Sequence, residues 1–314
     1  SELSYKVTES FKPTDIEYIT KVNDTSSKVN SSANFSDIDF TNINPEAPSF
    51  IHTHRIRLSY NNLSDDTTSL LELKDKDGQL IGGFNVSSKS LKDEDAYSPT
   101  DNNVHFIAET GELIFGDDIL DQVRQASEIS VTYEKDSFRK DDLRPEHYFD
   151  CVKTEPASSK LGFDKNDPNN KVTHYTKSNQ EIQYEVNFNQ KLTVNTQASE
   201  AFSHEILRLV EDLVLASDDV AETESKIREI EGYLEDPAFT NKAGLERMLE
   251  TLKVELSLKN KVLQERFSSG LTSVSDQQER VNIAVSDLGS RYVRLELTES
   301  RLASQQIDFE ELLS

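Results

Sequence analysis

The spacing of apolar positions changes once along the chain, near residue 197. Upstream, short runs alternate apolar and polar side chains between clusters of Gly, Asn, Asp and Ser, the period-two pattern of half-buried strands joined by turns. Downstream, proline nearly vanishes, Pro237 being the exception, and apolar residues recur at helical spacing. Strands followed by helices predict an α+β fold, with an antiparallel β-rich outer domain and then a long α-helical hairpin of coiled-coil-like character.

In the upstream part, residues 22–48 are rich in Ser, Asn, Asp and Thr and read as an irregular connector. Residues 51–60 alternate, placing Ile56, Leu58 and Tyr60 on one strand face. The turn Asp75-Lys76-Asp77-Gly78 between apolar runs predicts a hairpin over 69–86. A second hairpin is predicted from 104–107 and 113–115, and a further strand over 129–133. Pro145, Pro156 and Pro168 with the polar stretch 164–171 predict a connector with little regular structure over 141–171. Residues 182–188 and 192–194 predict a terminal hairpin. The expected domains are therefore 1–140, β-rich and outermost; 141–196, connector and terminal hairpin; and 197–314, long helices.

Ser199 is the expected N-cap of the first long helix, which carries Phe202, Ile206, Val210, Leu213, Val214, Val220, Ile227, Ile230 and Leu234 and ends before Pro237. The second starts near Asn241 and runs to about 313. Phe267, Val274, Val281, Leu288, Leu295, Leu302 and Phe309 are apolar at a sustained seven-residue spacing, the pattern of a helix packed lengthwise on others. At 1.5 Å per residue the first helix spans roughly 50 Å and the second roughly 100 Å. Half of the second is thus expected to lack a partner within the hairpin. The chain opens Ser1-Glu2, without methionine or a signal segment, which predicts a piece trimmed from a longer protein. A helix from upstream of Ser1 or another subunit is the expected cover for the heptad face.

Charge narrows the partners. The 58 acidic residues outnumber the 34 basic ones, a net charge of −24, so phosphate backbones and anionic lipid surfaces are repelled. Cys151 is the single cysteine, which rules out an internal disulfide. No apolar run reaches the length of a membrane span.

Candidate chemistry is sparse. His52 and His54 share a strand face, the geometry for a shared metal, but no Cys or carboxylate stands at ligand spacing. Asp75 to Gly78 resembles the start of a calcium loop and lacks its later acidic ligand. Asp164-Lys165-Asn166-Asp167 reads as a polar loop. Cys151 follows His147 without a third orienting group, and no phosphate-binding glycine loop or Gly-x-Ser-x-Gly elbow occurs. Catalytic residues, cofactors and metals are each expected to be none. Gly270 and Gly289 lie within the second helix as kinks, close-approach points or tolerated glycines.

Residues 284–314, from Ala284-Val285-Ser286-Asp287-Leu288-Gly289-Ser290-Arg291 through Ser300-Arg301-Leu302 to Glu310-Glu311-Leu312-Leu313-Ser314, resemble the C-terminal helix of the flagellin superfamily, and within it the hook-associated junction proteins. Residues 181–201, with Val194-Asn195-Thr196 before Phe202, resemble the entry of such proteins into their C-terminal helices. The likeness covers 181–314 and extends loosely to 1–180. It implies a non-enzymatic structural subunit of the bacterial flagellum, exported unfolded with an export chaperone to the cell exterior. Its implied partners are copies of itself, the adjoining hook-associated protein and flagellin. A flagellin-type filament subunit and an extracellular adhesin with a β head on a helical stalk are the alternatives.

Overall fold

The computed structural model describes residues 4–23, 45–139, 142–155, 171–176, 181–187, 190–239 and 242–313. In chain order the strands are β1 (Ser4–Phe11), β2 (Glu17–Val22), β3 (Phe50–Arg57), β4 (Leu71–Lys74), β5 (Leu80–Ile81), β6 (Asn85–Ser88), β7 (Asn103–Ile107), β8 (Glu112–Phe115), β9 (Glu128–Lys135), β10 (Asp150–Glu155), β11 (Lys171–Tyr175), β12 (Gln183–Asn187) and β13 (Gln190–Thr193). The helices are α1 (Asp117–Gln125), α2 (Ala198–Ala201), α3 (Glu205–Glu235) and α4 (Ala243–Leu313). One sheet has the order β11-β10-β1-β9-β4-β5, the second β2-β3-β8-β7-β6, and β12-β13 form a separate ribbon. Antiparallel sheets before long helices make the α+β architecture that the change of period predicts.

The two larger sheets share one core. Tyr5 and Val7 of β1, Leu71 and Leu73 of β4, and Ile129, Val131 and Tyr133 of β9 pack with Ile56 of β3, Val104 and Phe106 of β7, and Leu113 and Phe115 of β8. Register enforces this: Leu71 lies opposite Val131 and Leu73 opposite Ile129, so every second side chain points inward. Leu58 and Tyr60, beyond the end of β3, keep the predicted face and are buried. Ile119, Leu120 and Val123 of α1 complete the cluster.

The predicted hairpins at 104–115 and 182–194 form as β7-β8 and β12-β13. The 69–86 hairpin is corrected in its second half. β4 pairs with β5, but β6 crosses to the other sheet and runs parallel to β7. Gly82-Gly83 makes the break, Gly83 taking φ +96. The connector expected over 141–171 is also corrected: β10 pairs with β1, β11 pairs with β10, and Cys151 enters the core opposite Val7. The connector expected over 22–48 lies mostly outside the described residues, as does the 164–167 loop.

Two elements carried little periodic signal. β1 turns Tyr5, Val7 and Glu9 inward, and the carboxylate at the third position hides the alternation. Glu9 accepts hydrogen bonds from Ser59 N (2.9 Å), Ser59 Oγ (2.7 Å) and Tyr133 Oη. Burial pushes its carboxyl up, while these donors oppose the shift. α1 is nine residues long, too short for a clear 3.6 period, with Asp117 and Asp118 in its first turn and Arg124 in its last, as the helix dipole favours.

Gly111 closes the β7-β8 turn at φ +64, and a Cβ there would lie 2.0 Å from the Tyr60 carbonyl oxygen. Gly111→Ala is therefore expected to destabilise the β domain by about 2 kcal/mol or more. Urea unfolding followed by tyrosine fluorescence measures this, and an unchanged midpoint would contradict the close approach.

Candidate functional site

α3 and α4 form the expected hairpin, and α3 stops at Glu235 with the extended residue Asp236 before Pro237, as a proline one residue on requires. The predicted start is corrected. α2 is a single turn, the chain is extended at Phe202, and α3 begins at Glu205. Gln277 of α4 holds this break: its Nε2 donates to Ala201 O (2.7 Å) and its Oε1 accepts from Ser203 N (2.8 Å). Phe202 is thereby left outside the helix and exposed.

Near the hairpin tip, Ile227 and Ile230 pack against Leu245, Met248 and Leu252. Next along the pair is a polar layer. Lys259 Nζ donates to Thr223 Oγ1 (3.0 Å) and pairs with Glu255 (2.9 Å), all three being buried. A shifted register would strand these groups in an apolar layer, so the polar layer selects one alignment. Gly270 faces α3, where a Cβ would make ordinary contact with Leu213 Cδ1 at 3.4 Å, so glycine is tolerated there and not required. Gly289 has no neighbour that a Cβ would meet within 4 Å.

The pair docks on the outer face of β2-β3 through buried guanidinium groups, Arg55 foremost. Arg55 is 1% exposed. Its Nε donates to Glu17 (2.7 Å), its Nη1 to Glu112 and its Nη2 to Asp212 of α3 (2.6 Å). Arg57 also pairs with Asp212 (2.6 Å), and Arg266 of α4 lies 3.8 Å from the same carboxylate. Arg208 of α3 reaches into the β domain, donating to Leu58 O (3.0 Å) and Thr110 O. Burial pushes the Asp212 and Glu112 carboxyls up; Arg55 together with Arg57 at Asp212, and with Lys21 at Glu112, outweighs it and holds both below their ordinary range. Beside this junction a cleft of about 770 Å³ separates the β domain from the helices, and Ser269, Ser273 and Gln277 of α4 line it.

Beyond the hairpin, α4 continues with partial cover. Arg280 donates to Ser199 O (2.7 Å) and Glu200 O (3.2 Å), and Arg291 to Asn195 O (2.8 Å), so the strand-to-helix linker lies along one flank. Val281 and Leu295 are half-buried. Phe267, Val274, Leu288, Leu302 and Phe309 are exposed, Phe309 by 66%. The heptad face is thus open along most of its length, at Phe267 and Val274 beside α3 as well as beyond it, so the difference in helix length does not by itself account for the exposure.

Other candidates from the sequence stay apart. His52 and His54 share the face of β3, where Tyr18 stacks on His52 (5.6 Å between centroids) and tilts onto His54 (5.0 Å). Among the described residues no three His, Cys, Asp or Glu side chains are grouped to hold a metal ion. Asp75 Oδ1 accepts from Asp77 N and Gln79 N (both 2.8 Å), which closes an ordinary Asx turn. Cys151 is buried, and burial with nearby Glu146 and Asp150 pushes its thiol up to about 11. Among the described residues no helix is long and apolar enough to cross a membrane. The Arg55 junction is not apparent from the sequence, since Thr53, Arg55 and Arg57 occupy the polar half of an alternation and read as a solvent face.

Arg55→Met is expected to cost about 3–5 kcal/mol, because it leaves the Glu112 and Asp212 carboxylates without their main counter-charge; thermal unfolding measures it. The pH dependence follows from the folded-state shifts. The lowered Asp212 and Glu112 carboxyls add stability at neutral pH that is lost as pH falls below about 4. The raised Glu9 carboxyl acts oppositely, favouring the fold as it takes up a proton on mild acidification. Melting temperature is expected to peak in the mildly acidic range and fall steeply below about pH 4; a flat profile down to pH 3 would contradict the network.

No protein-family model, curated protein or solved structure matches the chain.

Proposed function

We propose that this protein is a structural subunit of the bacterial flagellum, joining hook to filament as a hook-associated junction protein. The observation that carries the reading is the open apolar heptad stripe of α4, with Leu288, Leu302 and Phe309 exposed on a helix that runs 71 residues against the 31 of its hairpin partner. Covering a Leu or Phe side chain contributes about 1.5–3 kcal/mol, so such a stripe favours helix-on-helix assembly. The likeness of 181–314 to the flagellin superfamily supports the same reading.

In this reading the work is mechanical and has no chemical step. Copies pack through the heptad face, from Phe267 to Phe309, and meet the adjoining hook-associated protein and flagellin at either end. The acidic β domain faces water, its charge keeping the chain soluble during export and outside the cell. The Arg55 junction supports this role by holding the β domain at a set angle to the assembling helix. The same stripe suits a flagellin-type filament subunit, from which copy number per filament separates it.

Leu288→Asp with Leu302→Asp in the full-length natural protein tests the stripe. Both side chains are about half exposed, so the fold is expected to keep its melting temperature. Light scattering is expected to show rings or fibres for the unmodified protein and monomers for the variant, with loss of motility in a cell carrying it. Unchanged assembly and motility would refute the reading.

A further inference from the structure

The free half of α4 is apolar on a second face. At 100° per residue, Ile283, Val293, Leu297 and Ile307 fall within about 120° of one another, opposite the heptad stripe. Each is more than half exposed. The contacts of the linker at Asn195, Ser199 and Glu200 come from Arg291 and Arg280, both on another flank. A water-soluble helix with two opposed apolar faces has the pattern of one covered from two sides.

The hairpin carries a surface of matching character. Leu207, Val210 and Val214 of α3 are exposed, as is Leu271 of α4. They lie on the side of the pair turned away from the β domain, since Arg208, Asp212, Arg266 and Ser269 face the sheets and the cleft. Charge distinguishes the two surfaces. α3 holds ten carboxylates against three basic side chains, and Asp218, Glu222 and Glu229 form an exposed row beside Val214. Residues 280–301 of α4 hold four arginines against three carboxylates, in a chain of net charge −24. Arg294 and Arg301, one heptad apart, flank the second face and are exposed.

Building on the assembly-subunit reading, we infer that the second face of α4, around Ile283, Val293 and Leu297, docks on the outward side of α3 in a neighbouring copy of this chain. Arg294 and Arg301 meet its acidic row. Donor and acceptor are different patches of one chain, so the contact is heterologous. Each copy keeps one free patch of each kind, and the contact propagates or closes a ring instead of stopping at a two-fold dimer. It also uses a face other than the heptad stripe, which gives each copy two kinds of neighbour.

Charge reversal in the 314-residue chain tests this. Arg294→Glu with Arg301→Glu makes one variant, and Asp218→Lys with Glu229→Lys the other. All four positions are exposed, and melting temperature checks that both variants fold. Sedimentation velocity over a concentration series is expected to show self-association for the unmodified chain, weakening as salt is raised. Each variant alone is expected to associate about tenfold more weakly. An equimolar mixture restores both contacts and is expected to regain the mass of the unmodified chain. The inference is overturned if the unmodified chain stays monomeric, if either variant associates as it does, or if the mixture gains nothing. Failure of the broader reading shows separately, as assembly that survives Leu288→Asp with Leu302→Asp.

Discussion

A guanidinium with almost no access to water needs carboxylates around it, and Arg55 finds three, on segments far apart in the chain: Glu17, Glu112 and Asp212. This cluster turns a β sandwich and a helical hairpin into one body. The pieces have separate apolar cores, one between the sheets and one near the hairpin tip, and their common boundary is largely polar. A polar boundary contributes little through hydrophobic burial, so orientation falls to the directional bonds of Arg55, Arg57 and Arg208. Removing Arg55 leaves the buried Glu112 and Asp212 carboxylates without their main counter-charge, which makes the joint specific.

The position of the joint sets what the helices present. The polar side of α3 and α4, with Asp212, Arg266, Ser269 and Gln277, turns toward the sheets and the cleft, and the apolar outward side is left to solvent. The Thr223–Lys259–Glu255 layer fixes how far the two helices slide past each other, and therefore where α3 ends and the open part of α4 begins. The proposed subunit role would use both settings: a defined length of uncovered helix and a defined angle to the outer domain.

Much of the architecture was legible because it is local. The hairpins β4-β5, β7-β8 and β12-β13 join strands a few residues apart through turns such as Asp75 to Gly78, and a short turn fixes its own register. The end of α3 at Pro237 and the apolar heptad stripe of α4 follow from proline sterics and the seven-residue period. What stayed hidden was non-local or broke the pattern. β10 reaches β1 across more than a hundred residues, between prolines that argue for a connector. Glu9 occupies a core position because Ser59 and Tyr133 supply donors that only the folded chain brings to it.

The sequence by itself determined the α+β order, the turn chemistry, the helical hairpin with its apolar face, and a charge that disfavours nucleic acid and anionic membranes. Tertiary structure alone decided that the polar side of β3 is an interior surface and that Gln277 accommodates the break before α3. It also decided which apolar side chains of α4 stay open. The physical reason is that periodicity reports which side of an element avoids water, whereas the identity of its cover depends on segments distant in sequence, whose pairing is set by register and by matched buried charges.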